Sequence, residues 1–130
     1  MPKEIHRLTD LQLELMDVLW ARGEATVVEV HDAVGERLGL ARKTVGTLLS
    51  RLEGQGVLTH REEGREYVYR ATVSRDEVER ATIGNLLRRL FRGDVAAMVS
   101  HALEAEEVDA RDVERLRRLL DTYPEREEER

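Results

Sequence analysis

The chain has no cysteine, and that absence removes a disulfide framework, thiol catalysis and thiolate-based metal sensing together. No stretch approaches the roughly 18 consecutive apolar residues of a membrane span. The opening residues, MPKEIHRLTD, also lack the apolar centre of a signal peptide. A cytoplasmic protein without membrane insertion is expected. Glycine-rich phosphate loops, a GxSxG elbow and an HExxH pair are missing, and the many carboxylates fall on faces that read as solvent-exposed. No enzyme activity and no cofactor are expected. The four histidines, His6, His31, His60 and His101, are scattered without ligand spacing, so structural or surface roles outweigh a metal site.

Excess basic charge is missing as well, since the net charge is −6. The distribution matters more than the total. Residues 1–75 hold 11 basic against 12 acidic side chains, and residues 76–130 hold 10 against 15. From Arg42 to Arg70 six basic side chains face four acidic ones. That is a weak electrostatic footprint for a nucleic-acid binder, and it needs support from pattern.

The pattern lies in ARKTVGTLLSRLEGQGVLTHREEGREYVY, residues 41–69. Val45, Leu48, Leu49 and Leu52 recur at spacings of three and four, which predicts one buried face of a helix and turns Thr44, Thr47 and Arg51 elsewhere. Arg42 and Lys43 stand in the first turn, where the helix dipole slightly disfavours cations. Phosphate supplies a better reason for them. A recognition helix enters the major groove by its N-terminal residues, where Arg or Lys bonds a guanine edge and Thr meets a base or a thymine methyl. Gly54 and Gly56 are expected to end the helix in left-handed conformations. Val57 to His60 then reads as a short strand, Glu62-Glu63-Gly64-Arg65 as a turn, and Glu66 to Ala71 as a second strand with Tyr67 and Tyr69 on one face. A helix followed by such a hairpin is the second half of a winged helix-turn-helix, with Arg61, Arg65 and Arg70 as wing cations.

The remaining punctuation fits. Thr9-Asp10-Leu11-Gln12 and Thr26-Val27-Val28-Glu29 are capping boxes opening helices to about Ala21 and Leu38. Leu11, Leu15, Met16, Val18, Leu19 and Trp20 form the apolar face of the first helix, and Val27, Val30, Val34 and Leu38 stripe the second. Gly39-Leu40-Ala41 leaves a tight turn before the recognition helix. Ser74-Arg75-Asp76-Glu77 opens another helix to about Arg92 with Val78, Ile83, Leu86, Leu87, Leu90 and Phe91 as apolar positions. Gly93-Asp94 stops it and caps the next, through about Leu103. Asp109 opens the last, with Val113, Leu116, Leu119 and Leu120. These three helices have no adequate core of their own, so Leu86, Leu90, Phe91, Leu116, Leu119 and Leu120 are expected to line a homodimer arm. The fold expected is mostly α with a small β-hairpin wing: an N-terminal winged helix-turn-helix over 1–73, a C-terminal three-helix dimerisation arm over 74–123, and a charged tail over 124–130.

Taken in order, LTDLQLELMDVLW, ARKTVGTLLSRLEGQGVL, the YVY of the wing, and LFRGD followed by EAEEVDARDVERLRRLL resemble the penicillinase-repressor family of BlaI/MecI/CopY type over nearly the whole chain. The resemblance implies a dimeric repressor binding a palindromic operator in double-stranded DNA. By position it implies Lys43, Thr44, Thr47 and Arg51 as the DNA-facing residues of the recognition helix, with Tyr67 in the wing; Arg42 and Arg65 flank them. Family members often carry a basic residue where this chain has Gly46, a substitution that also costs roughly 1 kcal/mol of helix propensity relative to Ala. The copper-responsive branch has paired cysteines near its C-terminus, which this chain lacks, so that mechanism is excluded. In the β-lactam branch a membrane sensor system leads to cleavage at an Asn-Phe bond. The aligned bond here is His101-Ala102, and Ala offers little of the 150 to 250 Å² that a Phe buries. A differently tuned protease, or a signal other than β-lactam, is expected.

Plainer readings stand beside these. Arg42 and Lys43 taken alone are ordinary surface cations, and Tyr67 and Tyr69 are better packing groups than base-stacking ones. Two rival functions are a winged-helix protein-interaction module and a ligand-sensing regulator of the multiple-antibiotic-resistance type. The latter wraps its head with long helices from both chain ends, whereas here the first helix begins almost at residue 1.

Overall fold

The computed structural model describes residues 4–124. It is mostly helical with one small antiparallel sheet. Of the tail expected over 124–130, all but Pro124 lies outside the described residues. A 3-10 turn at Ile5–Arg7 leads into α1, Asp10–Arg22. The Thr9 hydroxyl accepts from the Gln12 amide at 3.1 Å, and the Gln12 side chain accepts from the Thr9 amide at 3.0 Å, so the predicted capping box is present. The second box is present as well: Thr26 accepts from the Glu29 amide at 3.1 Å and donates its own amide to Glu29 at 2.9 Å. The Thr26 amide donated to the carboxylate, with the Thr26 hydroxyl beside it, holds the Glu29 carboxyl below the ordinary carboxylate range.

The helix that Thr26 opens runs to Leu38 but is not uniform. Val27–Val30 and Glu36–Leu38 are α-helical, and His31–Gly35 between them forms a π turn; the three together are α2. A Cβ on Gly35 would lie 2.3 Å from Cδ2 of the His31 ring, so the missing side chain is what lets the imidazole lie along the helix. His31 Nδ1 is buried there without a hydrogen-bond partner. The nearest carboxylate oxygen, on Asp32, is 3.6 Å away and too far for one.

Gly39, in the left-handed region at φ 68°, turns the chain into α3, Arg42–Gly54. The expected double glycine stop is half right. Gly54 remains helical and Gln55 caps the helix, leaving Gly56 alone with a positive φ of 84°. The hairpin follows as β2, Leu58–Glu63, and β3, Glu66–Ala71. Its ladder closes with Glu63 opposite Glu66, so the turn shrinks to Gly64-Arg65, with Gly64 at φ 64°. The second strand keeps its expected bounds, and the first reaches three residues beyond His60, because the Glu62 and Glu63 side chains project to solvent and cost nothing to pair through their backbone.

A third strand had no sequence signal. Ala25–Thr26, here β1, pairs antiparallel with β3, Ala25 opposite Tyr69 and Thr26 opposite Val68, giving the order β1-β3-β2. Leu15, Met16 and Leu19 of α1, Val30 of α2 and Val45, Leu49 and Leu52 of α3 pack with Val57, Leu58 and Tyr69 in one core. Val73 and Val78 close it from beyond the hairpin. The next helix, α4 at Arg75–Arg89, is opened by Ser74, which accepts from the Glu77 amide at 3.0 Å. Its first turn is tied to α1. The Trp20 indole donates to the Val73 carbonyl at 2.9 Å, and the Arg75 guanidinium lies 4.9 Å over the Trp20 ring while pairing with Asp17.

The chain divides into two compact units between Leu86 and Leu87. α4 ends at Arg89, three residues short of expectation, because Arg92 and Gly93 both take positive φ, 53° and 85°. Asp94 caps α5, Val95–Ala105, accepting from the Ala97 amide at 2.9 Å. Asp109 caps α6, Ala110–Thr122, in the same way through Asp112. Among the described residues no helix is long and apolar enough to cross a membrane.

Candidate nucleic-acid interface

The buried residues of α3 are Val45, Leu49 and Leu52, and this leaves Arg42, Lys43, Thr44, Thr47 and Arg51 exposed on its other faces. The helix start is open. Ala41, its N-cap, has no side chain to satisfy the first amides, whereas α1, α2, α4, α5 and α6 each begin with a Thr, Ser or Asp cap. Free amides and two cations thus share the first turn, an arrangement that suits an anion. The Thr47 hydroxyl donates to the Lys43 carbonyl at 3.1 Å, which occupies its proton and leaves the oxygen lone pairs and methyl outward.

Ion pairing separates this surface from the rest of the first unit. Arg7 pairs with Glu4, Arg22 with Glu29, Arg37 with Glu14, Arg75 with Asp17 and Arg80 with Asp76. The Arg37 bond and charge keep the Glu14 carboxyl below its ordinary value. Arg42, Lys43, Arg51, Arg65 and Arg70 have no acidic partner among the described residues, and all lie on α3 or the hairpin. Arg61 is the exception on the hairpin, bonded to Glu63 and, at 2.7 Å, to Glu24, which together raise its pKa.

On the wing, Tyr67 is 44% exposed while Tyr69 on the same face is 3% exposed. Tyr69 is therefore a packing residue, and burial, with the nearby Glu53 charge, pushes its phenol up. Tyr67 stacks on His60, ring centres 4.0 Å apart at 17°, and His60 in turn meets the Glu53 carboxylate of α3 at 2.6 Å. Sequence reasoning did not find this link, because Glu53 and His60 meet only once the hairpin folds back on α3. Tyr67 and Arg65 also line a groove of about 430 Å³ with Thr26, Val27, Val28 and Glu66. Gly46 borders α2 instead, since an added Cβ would meet Val27 at 3.8 Å in ordinary contact.

In the second unit, Leu90, Leu119 and Leu120 are exposed, and Phe91 and Leu116 are half-buried; Leu86, at the division, is exposed. An apolar groove of about 760 Å³ between α5 and α6 is lined by Leu103, Val108, Leu116 and Leu119. His101 and Ala102 are exposed within α5, the His101 ring tilted against Phe91 at 5.8 Å. No group of three or more metal-ligating side chains occurs among the described residues.

Three helices closing on a hairpin, with the third helix presenting unpaired cations beside the wing, define a winged helix-turn-helix. The chain belongs to the penicillinase repressor family, which it matches over residues 8–122. Its relatives are transcriptional repressors and not enzymes. It is 28% identical over 127 residues to the penicillinase repressor of Bacillus licheniformis, covering 98% of this chain and 99% of that protein. It is 35% identical over 122 residues to the transcriptional regulator BlaI of Mycobacterium tuberculosis, covering 90% of this chain and 85% of that protein. Among solved structures, the DNA-binding domain of the repressor BlaI is 32% identical with a TM-score of 0.52, covering 58% of this chain and 93% of that one.

Proposed function

We propose that the chain is a homodimeric repressor that binds a palindromic operator through Arg42, Lys43, Thr44, Thr47 and Arg51 of α3, with Arg65 and Tyr67 of the wing on the flanking backbone. The observation that carries this reading is that the cations of the first unit lacking an acidic partner, among the described residues, lie on α3 and the hairpin. Unpaired cations release counterions from DNA without first breaking an internal pair. Dimerisation runs through the arm, 74–123, where Leu86, Leu90, Phe91, Leu116, Leu119 and Leu120 meet a second copy. Half-site centres then lie about one helical turn, roughly 10 bp, or a multiple of it apart. The protein acts in the cytoplasm.

Selection from random DNA followed by titration of the selected duplex tests this. Lys43→Ala and Arg51→Ala each weaken binding by about 1 to 3 kcal/mol where they meet base edges, or flatten the salt slope by about one ion where they meet phosphate. Unchanged affinity and slope in both variants remove α3 from the interface. For induction, exposure of His101 and Ala102 permits cleavage there only after local opening of α5. A protease tuned differently from that of the β-lactam branch, or another signal, inactivates the repressor. A fragment ending at His101 appearing in the native host soon after β-lactam exposure contradicts another signal and shows that the His101-Ala102 site keeps its role; no such fragment contradicts a differently tuned β-lactam protease acting there.

A further inference from the structure

We propose that Glu53 and His60 are positioning residues for the wing: the α3 carboxylate fixes the His60 ring, and the ring face holds Tyr67 against the DNA side of the groove it shares with Arg65. This rests on the DNA-binding reading above and deepens it. His60 stands opposite Tyr69 in the β2–β3 ladder and diagonal to Tyr67, on the same face. Its Nδ1–H donates to both Glu53 oxygens, at 2.6 Å and 2.8 Å, which fixes the ring plane. Tyr67 lies nearly parallel to that plane, and Tyr69 bounds it at 5.6 Å. The result is a chain of contacts from the last turn of the recognition helix to the exposed aromatic of the wing.

Charge alone gives Glu53 the opposite role. A carboxylate two residues from Arg51, on a helix that approaches phosphate, repels DNA, so its removal on electrostatic grounds tightens binding. A positioning role makes removal weaken binding despite the lost repulsion. The signs differ, so one variant discriminates.

The full-length protein is titrated with its selected duplex in four variants. Glu53→Ala and His60→Ala weaken binding by about three- to tenfold, the range that one stacked aromatic pair supplies. Glu53→Gln keeps an oxygen that accepts from Nδ1–H, and stays within about twofold of the parent or tighter. Tyr67→Ala removes the ring that His60 holds and weakens binding by at least as much as His60→Ala. A second readout needs no DNA: the His60 ring protons are shielded by the Tyr67 ring current in the parent and in Glu53→Gln, and lose that shielding in Glu53→Ala. Equal tightening in Glu53→Ala and Glu53→Gln, or parent affinity in Glu53→Ala and His60→Ala, overturns the inference while leaving DNA binding in place. Retained shielding in Glu53→Ala overturns it too. A parent protein that retains no duplex overturns the DNA-binding reading and this inference with it.

Discussion

The two units of the chain solve the burial problem differently. The first closes a core in which Leu15, Met16, Val30, Val45, Leu49 and Leu52 are wholly buried. In the second, no residue is buried among those described, and Leu90, Val95, Leu119 and Leu120 are each more than half exposed. Burying a Leu or Val side chain contributes about 1.5 to 3 kcal/mol, so the first unit holds its stabilisation internally. The second leaves comparable stabilisation unclaimed. Helix-forming signals are equally strong in both, with Asp94 and Asp109 capping as well as Thr9 and Thr26. Capping therefore decides where helices begin, and only core closure decides whether a unit is complete by itself.

The sharpest way to break this contrast is to remove the incomplete unit. A chain ending at Gly93, or the full chain with Leu116→Asp and Leu120→Asp, is expected to be monomeric in sedimentation and to lose about 10²- to 10⁴-fold in operator affinity with the linked second head. Persistence of the dimer at micromolar concentration places the contact in the head instead. Next in size, Leu49→Ala opens the closed core and costs about 2 to 5 kcal/mol in denaturant unfolding, at every protein concentration. Leu120→Ala, at a position 74% exposed, changes the Tm only where protein is concentrated enough to dimerise.

Smaller effects sharpen the account of the first unit. Thr26→Ala removes a cap and costs about 1 kcal/mol. The Glu29 carboxyl, held below its unfolded value by the Thr26 bonds, contributes stability that is present above the unfolded pKa and lost as pH falls through the folded one. Acid unfolding monitored by circular dichroism should therefore respond less to pH in Glu29→Gln than in the parent. Gly46→Ala is expected to raise stability by up to about 1 kcal/mol, because its Cβ meets Val27 at ordinary contact distance; a loss in thermal unfolding contradicts that.

Local signals were legible, and non-local ones were not. The four-residue boxes at Thr9 and Thr26 place bonds three residues apart, so sequence alone determines them. The recognition helix and hairpin follow from periodicity in the same way. β1 has two residues and exists only because β3 runs beside it, and no pattern of two residues identifies a strand. The π turn depends on His31 lying over Gly35, a fit of shape with no periodic mark. At the interface, the residues with unpaired charge were found from the sequence, but the pairing of Arg61 with Glu24, 37 positions away, was not. Glu53 and His60 escaped for the same reason.

One consequence follows from the short first strand. β3 is the central strand of the sheet, paired along its length with β2 and at Val68 and Tyr69 with β1. What remains open are the two-residue rim of β1 with the short ends of β3 that flank it, and the rim of β2, whose outer half carries Arg61, Glu62 and Glu63. Neither rim offers a long, flat, apolar run onto which another chain could add a strand. A protein displaying a bare hairpin risks uncontrolled polymerisation along its sheet. The two-residue rim and the charged one close that route.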